Sequence, residues 1–155
     1  MVMMITFGQA VNGIKTVATS HPLVKRAIFE FDSEIAEYIS KDSSFSIVLV
    51  KPALSGIAEY YPETTAKQYA FEIEVLDRLM KDRTNVLKVV SECERVADYI
   101  INQIVNEAIN GVSLDIERFP VAEAVTNSRF DYLAGVKFTI YVNAISPSSC
   151  LINGL

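Results

Sequence analysis

Few side chains in this chain of 155 residues combine a reactive type with a useful spacing. Glu72 and Glu74 stand two apart in Y-A-F-E-I-E-V-L (69–76), with Asp77 just beyond. Residues two apart on a strand share a face, so this pair could work as acid and base or hold a cation. The plainer reading is a solvated face of an antiparallel strand, because Tyr69, Phe71, Ile73 and Val75 alternate against the two carboxylates. His21 is the single histidine. It precedes Pro22 at the end of a helical pattern, where capping or packing is its ordinary use. Cys93 and Cys150 form no C-x-x-C pair, no zinc-ligand spacing occurs, and no G-x-S-x-G elbow surrounds a serine. Neither G-x-x-x-x-G-K-[ST] nor G-x-G-x-x-G is present. No catalytic residue, cofactor or metal is therefore expected.

The aromatic residues Tyr60, Tyr61, Phe130 and Tyr132 call for a different explanation. They fall in two long connections, roughly 52–68 and 119–135, and loops of this length in a compact domain are usually functional. Such aromatics either tuck onto their own domain or contact a partner. A bare apolar tail at 146–155, with Leu151 and Ile152 after Cys150, favours contacts between proteins.

The elements that must position these residues are organised around one long helix. From Thr84, a candidate N-cap, to about Ile109, apolar residues recur at steps of three, four and seven: Val86, Val89, Val90, Cys93, Ala97, Ile100, Ile101, Ile104 and Ala108, with Leu87, Val96, Val105 and Ile109 widening the stripe. Asn110-Gly111 is the expected stop. The rod is roughly 36 Å long at 1.5 Å per residue, and its broad apolar face needs a sheet to cover it. A first amphipathic helix is expected from about Thr6 to Ala18, with Phe7, Val11, Ile14 and Ala18 on one side. Leu23 to Phe31 is expected to form a short strand, followed by a helical turn around Ile35, Tyr38 and Ile39. F-S-I-V-L-V (45–50) is apolar throughout, as in a central strand covered on both faces. Ser113 to Arg118 alternates, and Val136 to Ala144 does so most clearly, with Lys137, Thr139, Tyr141 and Asn143 on the outer side. The resulting class is α+β: a mainly antiparallel sheet of about four strands, with the N-terminal helix and the long helix packed on one face.

Composition bounds the rest. The chain fits one domain, residues 1–155, and half of it is hydrophobic, with a mean hydropathy of +0.26. No apolar run reaches the roughly 18 residues of a membrane span, and Met1 to Ile5 lacks the pattern of a signal peptide. The apolar excess implies burial against other subunits. The net charge of −5 argues against a phosphate-binding surface. Two isolated cysteines suit reduced thiols.

This layout resembles the small neck and tail proteins of tailed bacteriophages, of the tail-terminator or tail-completion type, from phages of Bacteroidetes-like hosts. The cues are T-V-A-T-S-H-P-L-V (16–24), S-I-V-L-V-K-P (46–52), F-E-I-E-V-L-D-R-L (71–79), the long helix, R-F-D-Y-L-A-G-V-K-F-T-I-Y-V (129–142) and Cys150. The family's usual proline before the first core strand is absent, with Ser44-Phe45 in its place. The resemblance implies a virion structural protein, not an enzyme. Its copies would form a ring at the joint of portal, neck and tail, through which DNA passes without sequence-specific binding. Partners would be other copies and neighbouring virion proteins, with no membrane, and assembly would take place in the host cytoplasm. Contact residues would include Tyr60, Tyr61, Phe130, Tyr132, Leu151 and Ile152. The alternatives are a small cytoplasmic enzyme or a dimeric binding module using the outer sheet face.

Overall fold

The computed structural model describes residues 6–29, 46–53, 58–60, 66–80, 82–107, 113–114, 120–125 and 133–145. It opens with helix α1 (Phe7–Thr19) and strand β1 (Val24–Phe29). Strands β2 (Ser46–Pro52), β3 (Glu59–Tyr60) and β4 (Ala66–Arg78) follow. The long helix α2 (Val86–Glu107) precedes β5 (Ser113–Leu114), β6 (Glu123–Val125) and β7 (Leu133–Ile145). The seven strands among the described residues belong to one sheet, ordered β1-β2-β4-β7-β5, with β3 paired to β4 and β6 to β7.

The α+β class holds, with both described helices on one face. The sheet is larger than the expected four strands and it is mixed. β1 and β2 run parallel, while the other five pairings among the described residues are antiparallel. The expected 52–68 and 119–135 loops each contain a short strand, β3 and β6. The helical turn expected around Ile35 lies outside the described residues, as does the Asn110-Gly111 stop.

Local chemistry explains the helix ends. Thr6 caps α1: its Oγ1 accepts the Gln9 backbone N–H at 3.2 Å, and Gln9 Oε1 accepts the Thr6 N–H at 2.9 Å. This reciprocal box satisfies two donors that the first turn would otherwise strand. Thr84 does not cap α2, contrary to expectation. Its hydroxyl donates to Asp82 Oδ1 at 2.9 Å, and its N–H donates to the same oxygen at 3.2 Å. Those two bonds hold the exposed Asp82 carboxyl below its ordinary pKa. The first helical bond instead runs from the Val89 N–H to the Asn85 carbonyl at 2.9 Å. Asn85 turns its side chain back to β4, accepting the Met80 N–H at 2.8 Å. Arg83, in the turn between them, has φ 57°, a left-handed conformation uncommon outside glycine.

The main core lies between the helices and the sheet. Ala10, Val11, Ile14 and Ala18 of α1 join Val89, Cys93, Val96, Ala97, Ile100 and Ile104 of α2. Both sets pack over Tyr69, Phe71, Ile73 and Val75 of β4 and Val136, Phe138, Ile140 and Val142 of β7. Most of the stripe positions read from the sequence are buried, Val96 among them, but Leu87 and Val105, expected to widen the α2 stripe, turn away from the sheet and are exposed. Phe7 anchors the start of α1, stacked on Phe71 at 5.3 Å between centroids and edge-on to Phe29 and Tyr69 at 5.7 Å each.

A second, smaller cluster occupies the opposite face: Ile28, Ile47, Leu49, Leu76 and Leu133, with Val125 of β6 against it. β2 is thus buried on both sides, as its apolar run indicates. Near the start of β7, Gly135 lies so close to β4 that a Cβ there would stand 1.8 Å from the Val75 carbonyl oxygen.

Candidate functional site

Strand parity builds the site on the face away from the helices. Glu72 and Glu74 lie opposite Thr139 and Lys137 across the β4–β7 ladder, and Lys51 of β2 lies opposite Glu72 on the other side. Lys51 Nζ is 2.8 Å from Glu74 Oε2 and 3.6 Å from Glu72 Oε1. The Lys51 and Glu74 side chains are only 16% and 15% exposed, so this ion pair is well shielded, whereas Glu72 keeps 35% of its surface. Further along, Lys137 Nζ reaches Glu123 Oε2 of β6 at 3.6 Å. Buried Gln68 donates its amide to Asn143 Oδ1 at 2.9 Å.

The expectation of one wet face on β4 is therefore corrected. Gln68, Ala70 and Leu76 are buried on that side, and Glu74 is spent on Lys51. The two carboxylates share a face, as their spacing requires, yet they share a lysine as well. That arrangement suits electrostatic pairing better than an acid/base couple.

Between Glu72, Glu123, Lys137, Thr139, Tyr141 and Val121 lies a cavity of about 220 Å³. β7 supplies its floor with alternate residues Lys137, Thr139 and Tyr141. β4 supplies one wall with Glu72, and the segment entering β6 supplies the other. Period-2 alternation in β7 was enough to place three of these residues together. Glu123 and Val121 could not be found that way, since three residues of irregular strand carry no pattern. Among the described residues, no group of three metal-binding side chains comes together.

His21 serves the turn between α1 and β1. Its Nδ1 accepts the Leu23 N–H at 3.1 Å, and its ring meets Tyr99 edge-on at 4.9 Å. The Tyr99 hydroxyl in turn hydrogen-bonds Ser20 at 2.7 Å. Cys93 is a buried thiol within the core. Asp77 faces the helices, where burial pushes its carboxyl above the ordinary value of 3.8. A hydrogen bond from the Arg78 N–H opposes that rise, and the charge of Glu92 adds to it.

Of the expected contact residues, Tyr60 is described. It lies on β3 opposite Lys67 and is 66% exposed. Lys67 Nζ sits 5.1 Å above the Tyr69 ring. Tyr61, Phe130, Tyr132, Leu151 and Ile152 lie outside the described residues. Leu23, Met80, Leu87, Val105 and Val121 are also large, apolar and exposed. None of the described helices is long and apolar enough to cross a membrane. No protein-family model matches the chain, and a search of curated proteins finds no match.

Proposed function

We propose that the protein is a structural subunit of a tailed-bacteriophage virion, one copy of a homo-oligomeric ring at the joint of portal, neck and tail. The ring connects or completes the tail and lets DNA through its lumen without reading sequence. The subunit is assembled in the host cytoplasm, resides in the virion and catalyses no reaction.

One observation carries the reading: the fold orders large apolar side chains and leaves them uncovered. Tyr60 is 66% exposed, Leu87 79%, Val105 55% and Val121 70%. Such residues in a chain already half hydrophobic favour contact with other protein. They stand on β3, on α2 and before β6. Unlike patches on separate elements are what a head-to-tail ring needs. The net charge of −5 suits a lumen that does not retain DNA.

The test is the mass of the purified full chain, alone and with neck and tail proteins, by native mass spectrometry. A ring-sized species, weakened by Tyr60→Ser, is the expected result. A strict monomer that binds none of these proteins overturns the reading. The cavity beside Glu72 favours a second reading, a dimeric binding module using the outer face, which would appear as a dimer with a bound small molecule.

A further inference from the structure

We infer that the cavity between β4, β7 and the segment entering β6 receives the guanidinium of an arginine presented by an adjoining protein segment. This rests on the reading of the protein as one part of an assembly. Three features point to a cation. Two carboxylates, Glu72 and Glu123, line the cavity against one ammonium, Lys137. Lys137 is engaged with Glu123 at 3.6 Å, and Lys51 sits closer to Glu74 than to Glu72, at 2.8 Å against 3.6 Å. Glu72 thus shares its lysine, Lys51, with Glu74, which holds it more closely, and keeps 35% of its side chain open.

Shape and neighbouring groups select the kind of cation. The volume of about 220 Å³ far exceeds what one water needs. Two carboxylates next to an ammonium are a poor ligand set for a metal, whose charge Lys137 would repel. An anion would meet more negative than positive charge. A guanidinium fits these constraints: it is planar, weakly hydrated, and bonds a carboxylate through two parallel N–H groups. Thr139 offers a hydroxyl opposite Glu72 in the ladder. Tyr141 and Val121 supply aromatic and aliphatic surface for the guanidinium face and its methylene stem.

The experiment titrates the full-length chain with N-acetyl-arginine amide and follows backbone amide resonances. N-acetyl-citrulline amide, which has the same shape without the charge, is the control. Saturable shifts at Glu72, Thr139, Tyr141 and Glu123 are expected in the millimolar range, with citrulline at least tenfold weaker. Glu72→Gln and, separately, the more exposed Glu123→Gln should each weaken arginine binding several-fold. Equal binding of citrulline, or indifference to both substitutions in folded protein, overturns the inference. Particle mass, measured separately, tells the two readings apart. A ring that ignores the arginine probe sinks this site alone, and a monomer that binds the probe sinks the ring alone.

Discussion

Gly135→Ala should be among the most damaging single-methyl additions in the protein. An ideal Cβ at Gly135 would stand 1.8 Å from the Val75 carbonyl oxygen, 2.9 Å from its carbon and 3.1 Å from the Leu76 Cα. All three are backbone atoms, so no side chain can rotate away. Relieving the closest contact to about 3.0 Å moves the strands apart by about 1.2 Å, the difference between 3.0 and 1.8. The movement falls where β7 pairs with β4 through Gly135–Leu76 and with β6 through Gly135–Val125. Two or three ladder hydrogen bonds, at about 1 kcal/mol each, would be lost or stretched. Restricting the unfolded chain returns about 0.4–1 kcal/mol. The net expectation is a loss of about 1–3 kcal/mol, or a Tm lower by roughly 2–12 °C for a chain of this length. Gly8 provides the internal control. Nothing lies within 4 Å of a Cβ there, on the exposed side of α1. Gly8→Ala should therefore stabilise, by up to about 1 kcal/mol. Thermal and urea unfolding of the two variants reads both signs. A Gly135→Ala protein as stable as the parent would refute the close approach of β4 and β7.

Asp77→Asn should stabilise at neutral pH. The folded carboxyl holds its proton to higher pH than the unfolded one, so stability falls as pH rises from the ordinary value of 3.8 through the raised folded value. Urea midpoints across about pH 3 to 8 should show the two proteins converging at the acid end, and an Asn variant weaker at neutral pH contradicts the assignment. Lys51→Met leaves Glu72 and Glu74 side by side on a shielded face, at a cost of about 1–3 kcal/mol between the limits for exposed and buried pairs. Adding Glu74→Gln should recover part of that loss, and strict additivity in the double-mutant cycle would disprove the coupling. Thr6→Ala removes the α1 capping box and should cost about 1 kcal/mol, read as a lower Tm.

The helix stripes and the alternation of β4 and β7 were legible because each records burial against one large neighbour. Val89, Cys93, Ala97, Ile100 and Ile104 lie on the face of α2 that the sheet covers, and a period of 3.6 is enough to find them. The parallel pairing of β1 with β2 was not legible. Strand direction depends on the path of the intervening chain, which leaves no periodic mark on V-K-R-A-I-F or S-I-V-L-V-K-P. Thr84 misled for a related reason: the turn before the helix uses both adjacent polar side chains, Thr84 bonding Asp82 and Asn85 accepting the Met80 N–H, so neither was free to serve as the simple cap that the residue types suggest.

The misreading of the outer face carries more weight for function. F-S-I-V-L-V already implies burial on both sides of β2, and a sheet neighbour of such a strand cannot be solvated throughout on either side. Ile47 and Leu49 continue directly into Leu76 and Leu133, and the apolar cluster ends where Glu74 meets Lys51. The outer face is thus divided along β4 and β7. One end is a small dry core under Val125, and the next stretch is a charged groove bounded by Glu72, Lys137 and Glu123. The segment that bounds the groove joins the sheet through only three residue pairs, yet leaves Val121 70% exposed at its rim. The apolar rim costs free energy in water that a partner covering Val121 would return, while the neighbouring carboxylate, well hydrated when open, needs a paired charge once covered. A neighbour of the proposed kind would offer apolar cover for Val121 and a positive charge for Glu72 together, and one with only a single feature would bind more weakly.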